Sequence, residues 1–181
     1  MNQPPSASRS ADDEPVELRS SLAGPVLGPS DPGYDAARIC FNALVDRRPA
    51  VIAKCTGAGD VATAFDFARV HNLEVAVRGG GHNPAGHCVL DGGLVIDLSL
   101  LRNVEVDSNT RTARAEGGST WADFDSAAQV DGLVTPGGVV GSTGVCGLAL
   151  GGGIGPSHRT AWPDLRQPHR RRARDSRRTR H

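Results

Sequence analysis

The chain has 181 residues, 38% of them hydrophobic and 22% charged, and its formal net charge is zero. That length fits one ordinary domain or a lobe of something larger, and no apolar run approaches the roughly 20 residues that a membrane span requires. The start, Met1-Asn2-Gln3-Pro4-Pro5, lacks the basic and apolar regions of an export signal, so a cytoplasmic location is the expectation.

Residues 1–33 mix Ser, Pro, Asp and Gly with few large apolar side chains. Such a stretch buries too little surface to offset the entropy of ordering, which predicts a flexible leader. From Tyr34 onward Ala37, Cys40, Phe41 and Leu44 fall at helical spacing, and Pro49 stops that helix. Val51-Ile52-Ala53 reads as a buried strand. Asp60 is placed to cap a second helix with Val61, Phe65 and Ala68 along one face, closed by Asn72. The strand Leu73–Val77 then runs straight into Arg78-Gly79-Gly80-Gly81-His82.

Residues 93–98 form another apolar run, and residues 104–106 with 112–115 predict a hairpin around Asp107-Ser108-Asn109. Thr120 and Asp123 match a capping box. Trp121, Phe124 and Ala128 give the helix that follows one buried stripe, ended by Gly132. The remainder, residues 135–155, carries too many glycines for a stable helix or strand throughout.

Cys40, Cys55, Cys88 and Cys146 form no C-x-x-C pair, which points to reduced core thiols. His82, His87 and Cys88 lack a fourth partner for zinc, so no metal is expected. Glycine stands out: 23 residues, concentrated at 79–93 and 132–155. Two such loops let backbone amides approach an anion such as a pyrophosphate. The G-x-G-x-x-G pattern fails at both clusters, and the only lysine, Lys54, excludes a Gly-Lys-Ser/Thr phosphate loop.

The string Val77-Arg78-Gly79-Gly80-Gly81-His82-Asn83, then residues 92–98, then Pro136 through Gly153, resembles the berberine-bridge-enzyme-like FAD-linked oxidases. The likeness covers roughly residues 31–155. It implies an α+β fold, a PCMH-type (vanillyl-alcohol-oxidase-type) FAD-binding domain over residues 34–155, incomplete because the C-terminal substrate domain is lacking. It also implies an oxidoreductase that passes hydride from a small organic substrate to FAD. By the same resemblance His82 is the covalent anchor of the flavin 8α-methyl. Arg78, Gly79, Gly80, Gly81 and Asn83 hold the pyrophosphate, and Gly86, Gly138, Gly141, Ser142, Gly144 and Gly147 complete the FAD contacts. Some members add a second bond through a cysteine; its position falls on Val140 here, so a single tether is expected and Cys146 is a small packing residue.

The zero net charge conceals a split. Residues 1–155 hold 11 Lys+Arg against 18 Asp+Glu, whereas residues 156–181 hold 9 Arg against 2 Asp. Family likeness ends at Pro156. Codons permitted for residues 156–175, read one base later, give His-Leu-Thr-Ala-Arg-His-Gly-Leu-Thr, which resembles the family's continuation. A shifted frame, and hence a truncated chain of little or no turnover, is the favoured expectation. The alternative is a non-enzymatic glycine-rich protein whose basic tail binds nucleic acid.

Overall fold

The computed structural model describes residues 14–153 and residue 155. In chain order come α1 (Glu14–Arg19), β1 (Val26–Leu27), α2 (Tyr34–Arg38), β2 (Val51–Lys54), α3 (Ala58–Val70), β3 (Val75–Arg78) and β4 (Leu94–Asp97). A hairpin of β5 (Val104–Asp107) and β6 (Thr112–Ala115) follows, then α4 (Trp121–Gln129) and α5 (Val145–Gly151).

The first four strands form one sheet in the order β1-β2-β4-β3. Only β1 is antiparallel; β2, β4 and β3 run parallel, with Val51 and Val75 both opposite Leu94 and with Lys54 and Arg78 both opposite Asp97. Parallel strands are buried on both faces when each face is covered, and β4 is buried along its whole length. Alternation then sorts side chains to two cores. Val51, Ala53, Leu94 and Ile96 pack with Ala64, Phe67 and Ala68 of α3. Ile52, Ala76 and Val95 face the other way, onto Tyr34, Cys40, Cys88 and Val89. The short α2 and irregular chain cover that second face, and Tyr34 of α2, 1% exposed, satisfies its hydroxyl by donating to the Pro49 carbonyl at 2.6 Å.

The connection from β3 to its parallel neighbour β4 is residues 79–93, which contain no helix. Parallel crossovers usually carry one. Here the crossing chain is the glycine loop itself.

Several sequence expectations change. The segment expected as a flexible leader carries α1 and β1 within residues 14–33, and Leu18 is fully buried while Val26 joins the same core. Leu18, Leu22, Val26 and Leu27 are few, but each meets the sheet. The leader's first 13 residues lie outside the described residues.

The helix expected to reach Pro49 stops at Arg38, because Ile39 turns extended. Of its expected stripe, Cys40 is buried, whereas Phe41 and Leu44 are exposed. The freed backbone bonds elsewhere: the Phe41 amide donates to Gly81 and the Arg78 guanidinium to the Ala37 carbonyl.

Asp60 does not sit at the cap, which is Gly57. One turn in, its carboxylate accepts from the Thr56 amide and hydroxyl at 2.8 and 2.7 Å and from the Ala23 and Gly24 amides. These bonds hold its pKa down. The buried face of α3 is accordingly Asp60, Ala64, Phe67 and Ala68, leaving Phe65 exposed. Asn72 does follow the helix end, at φ 54°. In the last glycine-rich stretch residues 145–151 are helical after all.

Candidate functional site

The C-terminal ends of β2, β4 and β3 place Lys54, Asp97 and Arg78 side by side in one register. Ligands of open α/β sheets bind beyond such ends. Directly past Arg78 comes the glycine loop, and it meets the second glycine segment at Gly80 and Gly144. A Cβ on Gly144 would stand 2.6 Å from the Gly80 nitrogen, and one on Gly80 would overlap the Gly144 backbone. Backbone therefore crosses backbone with no side chain between. The Gly144 side of this crossing is anchored by ladder bonds between residues 119–121 and 143–145, Trp121 N–H to Thr143 O at 3.0 Å and Val145 N–H to Ser119 O at 2.9 Å.

A cleft opens on each side of this crossing. One, of about 420 Å³, is lined by Gly79–Asn83, His87, Thr143, Gly144, Gly147 and Gly151 among others. The other, of about 260 Å³, is lined by Lys54, Arg78, Gly79, Gly80, Asp97, Ser99, Arg102, Thr120 and Ser142. The second cleft is rich in cations and hydroxyls. The first is walled by backbone: among the described residues the amides of Gly79, Gly80, Gly81, His82 and Asn83 donate to no protein acceptor. Backbone N–H groups without a protein acceptor are the donors that an anion can use. Across from them Gly147 and Gly151, one turn apart on α5, present no side chain, and a Cβ on either would meet only open space. This cradle fits a dinucleotide, because diphosphate needs donors and a planar ring needs room.

His82 stands at the rim of the first cleft. Ser142 Oγ lies 3.0 Å from its Nε2 and Thr143 Oγ1 3.3 Å from its Nδ1, so both ring nitrogens meet a hydroxyl. The Phe41 ring stacks on the imidazole. Asn83 accepts the His87 amide on its side-chain oxygen, which shapes the turn beyond His82. Arg102 reaches Asp123 through two bonds, at 2.6 and 3.0 Å, and holds that carboxyl down to about 2 while Thr120 completes the capping box.

Of the residues expected at the site, Arg78, Gly79, Gly80, Gly81, His82, Asn83, Ser142, Gly144 and Gly147 come together around the crossing. Gly86, Gly138 and Gly141 line neither cleft. Gly86 turns at φ 73° with its α-carbon against Val45, Gly138 packs under the Trp121 ring and Gly141 against Ala122. Val140 is half exposed, and burial pushes the Cys146 thiol up, consistent with a packing role.

Lys54, Asp97, Ser99, Arg102, Thr143 and Phe41 were not foreseen. Lys54, Arg78 and Asp97 carried a readable signal, since each is the charged residue ending an apolar strand. Phe41 had none, as its spacing suggested a buried helical stripe.

The model of the FAD binding domain family matches residues 49–162, more than half of the chain. The chain belongs to this FAD-binding family. It is similar to (R)-6-hydroxynicotine oxidase of Paenarthrobacter nicotinovorans, 41% identical over 135 residues, which cover 75% of this chain and 30% of that protein. An FAD-linked oxidoreductase of Bacillus subtilis is 33% identical over 143 residues, covering 79% and 32%. Among solved structures, 6-hydroxy-D-nicotine oxidase from Arthrobacter nicotinovorans superposes with a TM-score of 0.74 at 40% identity, covering 76% of this chain and 30% of that one. BBE-like 1 of Physcomitrella patens gives 0.76 at 26% identity, covering 83% and 32%.

The family's fold is therefore the PCMH-type, mixed α and β flavin domain that the motifs implied. The chain spans about 30% of the length of these relatives. They lend no support to the nucleic-acid reading, and the arginine-rich segment on which it rested, together with the expected change of frame, lies outside the described residues. Among the described residues no helix is long and apolar enough to cross a membrane.

Proposed function

We propose that this chain is the FAD-holding part of an oxidase-type flavoprotein, with FAD tethered once, through His82. The observation that carries the reading is the juxtaposition of five free amides, residues 79–83, with an imidazole at the mouth of a glycine-walled cleft. The amides and the nearby Arg78 and Lys54 neutralise the diphosphate. Gly79, Gly80, Gly81 and Asn83 supply the closest approach from the first loop, and Ser142, Gly144 and Gly147 from the second. Gly86, Gly138 and Gly141 pack behind them, outside both clefts.

Imidazole suits the tether because a neutral ring nitrogen offers an in-plane lone pair. Bound FAD supplies the redox chemistry, accepting hydride from a small organic substrate. This chain's residues bind and orient it.

The test is direct. Purified full-length chain supplied with FAD is expected to be yellow, and the colour to stay with the protein on acid precipitation. His82→Ala is expected to bind FAD that acid releases. A wild-type preparation whose flavin washes out in acid would remove the tether, and one that takes up no FAD would remove the whole reading.

A further inference from the structure

Phe41 is exposed over 68% of its surface, yet it is not loose. Its amide donates to the Gly81 carbonyl at 3.0 Å, and the side-chain amide of Asn42 donates to the Pro84 carbonyl at 2.8 Å. Residues 41 and 42 are thus tied to the chain on both sides of His82. The buried neighbour in this segment is Cys40, which faces the core beneath the sheet, so core packing does not explain where the phenyl ring goes. It lies over the imidazole, with centroids 4.5 Å apart and planes inclined by 18°.

The two hydroxyls at the ring nitrogens leave a degree of freedom. The torsion that sets the plane of a histidine ring is broad and weakly self-determined, and Ser and Thr hydroxyls rotate to follow a moving partner. Edge contacts alone therefore permit the ring to roll. A flat surface against its face does not, because offset-parallel aromatic stacking fixes the plane.

We infer that Phe41 is a positioning residue for the flavin tether: it sets the imidazole plane so that a ring-nitrogen lone pair points into the cleft. The inference rests on the His82 reading above. Overall, the tether replaces one 8α C–H and one ring N–H by a C–N bond. The two electrons released pass through the flavin to dioxygen, which takes up both protons and leaves as hydrogen peroxide. Phe41 takes no part in that exchange; it governs only the aim of the nitrogen.

The experiment uses the full chain with FAD in air and reads two quantities, the initial FAD affinity by flavin fluorescence and the rate at which acid-stable flavin accumulates. Phe41→Ala is expected to slow accumulation by about tenfold or more while changing the initial affinity by less than about twofold. Phe41→Tyr, which restores a flat ring, is expected to recover the rate, and Phe41→Leu is not. Equal accumulation rates in wild type and Phe41→Ala would overturn the inference and leave the tether standing. So would a loss of rate accompanied by an equal loss of affinity, or one that tyrosine fails to rescue.

A second measurement works without FAD. In the free protein the His82 ring protons are expected to show an upfield ring-current shift and one fixed set of contacts to Thr143, and in Phe41→Ala those contacts are expected to average over several ring orientations. Contacts to Thr143 that persist unchanged in that variant would sink the positioning role, whatever happens to the tether. A wild-type chain that binds FAD but never fixes it would instead fault the assignment of His82.

Discussion

The two glycine segments have similar composition and opposite uses. In residues 79–83 the amides find no protein acceptor among the described residues, which under the proposed function makes the backbone itself the binding surface. In residues 137–144 glycine lets other groups come close: a Cβ on Gly137 or Gly138 would stand 2.6 or 2.7 Å from the Trp121 ring, and Gly144 abuts Gly80. The later turn of α5 differs again, since Gly147 and Gly151 face an open cleft. A glycine's neighbour decides its role. Replacing each with alanine should therefore separate loss of fold from loss of binding.

The largest effect is expected at the crossing. Gly80→Ala drives a methyl into backbone that cannot yield, so a stability loss of about 3 kcal/mol in urea denaturation and no retained flavin are the expected results. Full stability in that variant would show that the loops do not touch. Gly86→Ala adds a left-handed backbone penalty to a clash with Val45, about 2 kcal/mol together. Because Gly86 lines neither cleft, FAD affinity measured well below the melting temperature should stay at the wild-type value.

Asp123→Asn weakens the joint between Arg102, just before the hairpin, and α4 by about 1 kcal/mol, since it keeps a capping side chain but loses the charge that meets Arg102. The pH dependence has a definite sign. With a folded pKa of about 2 against about 3.9 in the unfolded chain, the ionised carboxylate stabilises the protein above about pH 4, and that contribution drains away as pH falls toward 2. Acid denaturation of the variant should lack that part of the slope.

The smallest change in stability comes with the opposite sign. Gly147→Ala places a helix-favouring residue where nothing obstructs it and should gain about 0.5–1 kcal/mol. The same methyl fills the cleft, so FAD affinity should drop by about tenfold. A variant that is more stable and binds equally well would mean that the cofactor lies elsewhere.

Much of this framework was legible from the residues. Val51–Ala53, the strand into Arg78, the run ending at Asp97 and the hairpin all declared themselves by apolar patterning, and Thr120 with Asp123 marked a helix start by chemistry alone. Arg78, His82 and Ser142 were brought to one place only by the resemblance of their motifs to a known family. What stayed hidden depended on tertiary partners. Nothing in the spacing of Phe41 distinguishes a buried stripe from a ring laid on His82, and nothing local to Gly86 or Gly138 says that Val45 and Trp121 fill the space beside them. Leu18 and Val26 are too sparse to announce a core, yet the sheet edge gives each a seat.

The helix-free link between β3 and β4 has one more consequence. Its two ends, Arg78 and Leu94, are pinned by the outermost rungs of the same ladder, so a pairing error of one residue would drag the imidazole about 3.3 Å along the strand and turn it to the wrong side. Under the proposed chemistry such a misthreaded chain gains no acid-stable colour. Permanent yellow would then serve as a stamp of correct assembly, applied only to molecules whose strands closed in step.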